Sequence, residues 1–142
     1  MANPAFSTRY KLPDGRLAVD VTENKTLAAE DSGIVQNVVK ADVVVTAPAV
    51  ATQGSWTVRD GGLRTAGRPN GAVTGAARPT LDPNGSDTLA GLNVEGTEAD
   101  GKNLRVPAAT ALPEDEISFI NTGATNGGLV LPGTRGDWQR EA

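Results

Sequence analysis

Residues 27–62 read LAAEDSGIVQNVVKADVVVTAPAVATQGSWTVRDGG, and the fold class turns on how this stretch divides. Three short segments, Ile34–Val39, Val43–Ala47 and Ser55–Arg59, are rich in β-branched or aromatic residues. Turn-forming residues bound each of them. Ser32-Gly33 opens the first, Lys40-Ala41-Asp42 separates the first two, Pro48 stops the second and Gln53-Gly54 opens the third. Side chains alternate along an extended chain, so Trp56 and Val58 share one face, with Ser55, Thr57 and Arg59 on the other. The expected product is an antiparallel meander with one buried face.

Outward from this stretch the same grammar repeats. Residues 1–26 read as an extended arm, broken by Pro4, Pro13 and Asp14-Gly15, with Phe6, Tyr10, Leu12 and Leu17 spaced without a period. Leu17–Val21 fits one strand. Residues 27–142 read as a single β domain. In it, Gly61–Pro79 is a long low-complexity loop with a hairpin tip predicted at Asn70-Gly71. Thr88–Val94, Leu104–Val106 and Glu116–Asn121 fit strands, and Asn126-Gly127-Gly128 predicts a hairpin into Leu129–Leu131. One helical turn fits near Glu30 or over Ala108–Ala111. No helical period is sustained.

Composition bounds the rest. A chain of 142 residues suits one domain. Hydrophobic residues make up 38% and aromatics 4%, while 17 glycines and 9 prolines disfavour ordinary helices. So thin a core is expected to complete its burial against copies of itself or a larger surface. Cysteine and histidine are both absent, which removes thiol chemistry, Ser-His-Asp and Cys-His catalysis and the usual zinc ligands. Neither an enzyme nor a cofactor is expected. No run approaches the roughly 18 apolar residues of a membrane span. MANPAFSTRYK lacks the apolar core of a secretory signal, so folding in a reducing cytoplasm is the expectation. A net charge of −4 argues against a nucleic-acid binder.

Charge is uneven. Arg59, Arg64, Arg68 and Arg78 face one acid, Asp60, for a local +3, whereas eight acids between Asp82 and Glu116 meet only Lys102 and Arg105, for −6. These are two solvated loop regions, or else an electrostatic match between neighbouring subunits or with an acidic partner. Asp82-Pro-Asn84-Gly-Ser-Asp87 has oxygens at calcium-loop spacing but lacks the later glutamate and contains Pro83, so it reads as a turn. Trp56 and Trp138 read as core residues before they read as a sugar-stacking pair.

Taken in order, Leu27-x-x-x-Asp31-Ser-Gly33, Thr46-Ala-Pro48 (where the family pattern has Leu-Pro), Gly54-x-Trp56-Thr-Val58, Asp82-Pro-Asn84-Gly-Ser-Asp87, Asp100-Gly-Lys102-Asn-Leu104, Glu116-Ile-Ser-Phe119 and Gly136-Asp-Trp138 form a series. The series resembles the small β domains of tailed-bacteriophage virions, especially head decoration (cement) proteins. The resemblance spans about residues 27–138 and implies a small antiparallel β-sandwich or β-tulip-like barrel. It also implies a homotrimer on the outer surface of an expanded capsid, at three-fold and quasi-three-fold positions, with the major capsid protein as partner. Such a protein is made in the host cytoplasm and touches neither nucleic acid nor membrane. No family site residue carries over. The residues themselves nominate Phe6, Arg9, Tyr10 and Leu12 on the arm, with Arg64 and Arg68 in the basic loop, as capsid or subunit contacts. A head-fibre or glycan-binding module using Trp138, and a neck or tail adaptor, are the competing readings.

Overall fold

The computed structural model describes residues 9–64, 72–91, 94, 96, 101–121 and 127–141. The described chain is almost entirely β. Its strands are β1 (Arg9–Lys11), β2 (Leu17–Val21), β3 (Lys25–Thr26), β4 (Val35–Val38), β5 (Val44–Thr46), β6 (Gly54–Asp60), β7 (Leu63–Arg64), β8 (Val73–Gly75), β9 (Thr80–Asp82), β10 (Thr88–Ala90), β11 (Leu104–Arg105), β12 (Glu116–Asn121), β13 (Gly127–Val130) and β14 (Gln139–Arg140). A single 3-10 turn, Ala29–Asp31, lies near Glu30, where a helical turn was expected.

Two sheets hold the core between them. One runs β1-β2-β4-β6-β12-β13-β10, the other β14-β11-β9-β5-β3, and β7-β8 form a separate ribbon. One apolar cluster joins them, with Val38, Trp56, Val58, Ile117 and Phe119 from the first sheet and Val45, Leu81 and Leu104 from the second. Trp56 stacks on Phe119 with ring centroids 5.6 Å apart. The expected alternation in β6 holds: Trp56 and Val58 are buried, while Ser55, Thr57 and Arg59 are not. Neither sheet closes into a barrel. The architecture is sandwich-like.

The expected antiparallel meander is corrected. The chain alternates between sheets, β2, β4 and β6 in one and β3 and β5 in the other. Each return therefore lands beside the previous strand in the same direction. β2 with β4, β4 with β6, β3 with β5 and β5 with β9 are all parallel, whereas β6 with β12 is antiparallel. The Lys40-Ala-Asp42 turn carries the chain across the core instead of closing a hairpin. Asp42 takes φ 60° there, and its N–H donates to the Ala77 carbonyl. Val35–Val38 is buried at all four positions, as befits a central parallel strand, but Gln36 and Asn37 break the apolar run that would have marked it in the sequence.

The arm also departs from expectation in its described part. β1 and β2 form a hairpin whose inner strand pairs with β4, and β3 joins the second sheet. Leu17–Val21 is thus interior to the chain's own sheet, with neighbours on both edges. Ala18 and Val21 are buried, which is the physical reason this segment stays with its own domain. At the rim, Lys25 Nζ donates to Gln36 Oε1 at 2.7 Å, linking β3 of one sheet to β4 of the other.

Candidate functional site

Asp60 ends β6 on the core side and is 1% exposed. Its Oδ1 accepts the N–H groups of Gly62 at 2.8 Å and Ala77 at 2.9 Å, and its Oδ2 accepts that of Arg78 at 2.9 Å. Its backbone N–H donates to Asp115 and its carbonyl accepts from Glu114. Three of the residues gathered here, Gly62 (φ 77°), Arg78 (φ 57°) and Glu114 (φ 79°), are left-handed. Gly62 has a second constraint, because a Cβ there would sit 2.4 Å from Val73 Cγ1. One carboxylate thus sets the paths of the β6–β7 and β8–β9 segments and aims the ribbon that carries Arg64.

On the face of the seven-stranded sheet turned away from the core lies a polar ladder. The Tyr10 hydroxyl donates to Asp20 Oδ1, and Asn37 Nδ2 donates to the Tyr10 oxygen at 2.8 Å. Arg59 Nη1 donates to Asn37 Oδ1 at 2.8 Å, and its Nη2 donates to Glu114 at 3.1 Å. Arg16 grips Glu116 with two bonds, at 2.9 and 2.8 Å. Thr57 and Ser118 join through their hydroxyls at 2.7 Å. Arg64 lies near enough for its charge to act on Tyr10. Its Nε is buried and has no hydrogen-bond partner among the described residues. Val73, packed over Gly62 beside Pro113, and the adjoining Leu112 are exposed apolar groups on the same approach.

The structure therefore brings Tyr10 and Arg64 together. Arg9 is exposed on the outer strand β1. Leu12 is half-buried in the hairpin turn, where its N–H donates to Arg16 and its carbonyl accepts from Gly15. Phe6, Arg68 and the predicted Asn70-Gly71 tip lie outside the described residues, as does Asn126 of the second predicted hairpin. Part of the expected charge match is internal to the chain, since Arg59 of the basic stretch meets Glu114 of the acidic one, while Glu116 is taken by Arg16, outside the basic stretch. Trp138 is 1% exposed and donates its indole N–H to the Arg135 carbonyl, so its ring is not available to stack on a sugar. In the Asp82–Asp87 turn, Asp87 accepts the Val50 N–H and Asn84 donates to the Ala47 carbonyl, which makes the segment a brace between strands. Among the described residues no group of three or more acidic side chains is arranged to hold a metal ion. The roles of Asp60 and of Arg140, a buried arginine whose guanidinium donates to the Val94 and Leu89 carbonyls at 2.8 Å each, were not anticipated from sequence. Only their burial distinguishes them, and burial of a lone charge leaves no local pattern.

Burial, then the hydrogen bond to Asp20 and its charge, push the Tyr10 hydroxyl up to about 12; Asn37 and Arg64 pull weakly the other way. Because the folded value lies above the unfolded one, Tyr10 contributes stability that is complete below the unfolded value and is lost as pH rises through the folded one. Tyr10 is the chain's single tyrosine, so phenolate absorbance reports it alone. The expected midpoint is about 12 in the folded protein against about 10 after denaturation. A native midpoint equal to the denatured one would show the ladder unformed in solution. No protein-family model, curated protein or solved structure matches the chain.

Proposed function

We propose that the chain is a structural virion protein that binds the outer surface of an expanded phage capsid and stabilises it as a clamp, acting as a trimer at three-fold and quasi-three-fold positions on the major capsid protein. The observation that carries this reading is the ordered motif series over residues 27–138, whose members hold framework positions. Asp31-Ser-Gly33 precedes β4, Trp56 and Trp138 fill the core, the Asp82–Asp87 turn joins β9 to β10 and is tied to Ala47 and Val50 beyond β5, and Glu116–Phe119 lies in β12. The small sandwich, with Arg9, Tyr10 and Arg64 at its surface, is consistent with a protein whose task is attachment.

The mechanism is thermodynamic. Subunits meeting at a local three-fold are forced apart by internal pressure. A clamp bound only to the intact shell stabilises it by an amount that grows with occupancy, about 2.7 kcal/mol per site at a hundredfold excess over Kd. The test adds the purified protein to bare expanded capsids and reads occupancy and the temperature of shell opening. Saturable addition with a raised opening temperature, and an isolated mass three times that of the 14.6 kDa chain, are expected. Arg64→Ala should lower occupancy at unchanged thermal stability. Removing residues 2–16 would also delete β1 and the Arg16–Glu116 bond, so removal of residues 2–8 is the truncation that separates contact from folding. No addition to capsids, or a ring of another symmetry, would sink the reading.

A further inference from the structure

At the β9–β11–β14 end of the five-stranded sheet lies an open cleft of about 350 Å³, lined by Arg78, Thr80, Asn103, Arg105, Gln139 and Glu141 among others. Of its three arginines, Arg140 turns its guanidinium to carbonyls of residues 89–96, and the other two, Arg78 and Arg105, are held by their necks. Arg78 Nε donates to the Val106 carbonyl at 3.1 Å, and Arg105 Nε donates to the Arg78 carbonyl at 3.1 Å. The Arg78 backbone is pinned in turn by Asp60. Arg105 Nη2 pairs with Asp42, whose side chain is 78% exposed, so that pair is weak in water. Both Nη atoms of Arg78 and Nη1 of Arg105 make no hydrogen bond to the described residues. Preorganised forks with free ends suit a planar carboxylate.

We propose that this cleft binds a carboxylate presented by an acidic, extended peptide segment. The arginines would take the carboxylate. Glu141, which also lines the cleft, has its Oε1 engaged by the Asn103 N–H at 3.2 Å, and its second oxygen would accept a main-chain N–H of the bound segment. A peptide supplies both groups, whereas a free dicarboxylate would meet Glu141 with charge and no donor, and phosphate would meet it with like charge. The cleft also runs beside β14, an outer strand of its sheet, where an extended segment has room to lie. The site stands whether or not the chain acts on a virion.

The test is an amide-resolved NMR titration of the whole chain with a blocked Asp/Glu-rich peptide, its Asn/Gln counterpart, malonate and inorganic phosphate. The acidic peptide is expected to shift Thr80, Asn103, Arg105 and Gln139 saturably, and more weakly as salt rises. Arg78→Gln should weaken it about tenfold, the loss of one charge-assisted contact. Asp42→Asn should tighten it, because it removes the competing carboxylate charge and loosens the hold on Arg105 Nη2; asparagine tolerates the left-handed backbone at this position, so the fold is kept. If Arg105 were only structural, Asp42→Asn would leave binding unchanged or weaken it. Absence of saturable shifts, or equal binding of the neutral peptide, overturns the site. Tighter binding of malonate or phosphate than of the acidic peptide overturns the peptide assignment in favour of a free anion.

Discussion

Replacing Asp60 with alanine is expected to destabilise the protein by about 3–5 kcal/mol, read as a fall in the urea midpoint at constant slope. Three N–H groups, those of Gly62 and Ala77 buried and that of Arg78 part-buried, lose their acceptor together, and Asp60 itself is only 1% exposed. The left-handed residue Arg78 also loses what holds it in a costly conformation, whereas Glu114 keeps its bond to the backbone carbonyl of residue 60. Asp60→Asn should fall between wild type and alanine. Its amide oxygen still accepts from Gly62 and Ala77, but its NH2 then faces the Arg78 donor. Alanine matching wild type would mean the segments find other acceptors and that Asp60 does not organise them.

Arg140→Met is expected to cost about 3–4 kcal/mol, because an unsatisfied buried acceptor costs roughly 1–3 kcal/mol and this substitution strips several at once. The Arg140 Nη1 donates to Val94 at 2.8 Å and Gly96 at 3.4 Å, and its Nη2 donates to Leu89 at 2.8 Å and Gly91 at 3.4 Å. Methionine keeps the stem and removes only the donors. A second effect follows from position, since Leu89 lies in β10, the outer strand of the seven-stranded sheet. With those carbonyls released, the edge becomes a template for another chain, and light scattering should rise on heating. A loss below about 1 kcal/mol, judged against the usual worth of a single hydrogen bond, would show that water reaches the carbonyls.

Both residues were only counted in the sequence, Asp60 as one acid among four arginines and Arg140 not singled out at all. What binds them lies far along the chain: Asp60 reaches Arg78 across 18 positions, and Arg140 reaches Leu89 across 51. Strand existence was easier to read. Glu116–Asn121 and Leu17–Val21 are strands over the expected residues, because β-branched side chains and flanking turns act locally. Strand partners were harder. Tyr10 was read as free to meet another molecule, yet its hydroxyl is held by Asp20 and Asn37, a meeting made only when β1, β2 and β4 lie side by side.

Alternation and turn chemistry by themselves determined that this chain is all-β, that Trp56 and Val58 look inward, and that cysteine and histidine chemistry is absent, since each follows from residue type and near neighbours. The tertiary structure alone decided that β4 lies parallel between β2 and β6, that residues 9–26 belong to the sandwich, and that Arg78 and Arg105 share a cleft. The physical reason is that a connection's landing place depends on the apolar area it buries across the core, which is shared among distant segments and written in none of them singly.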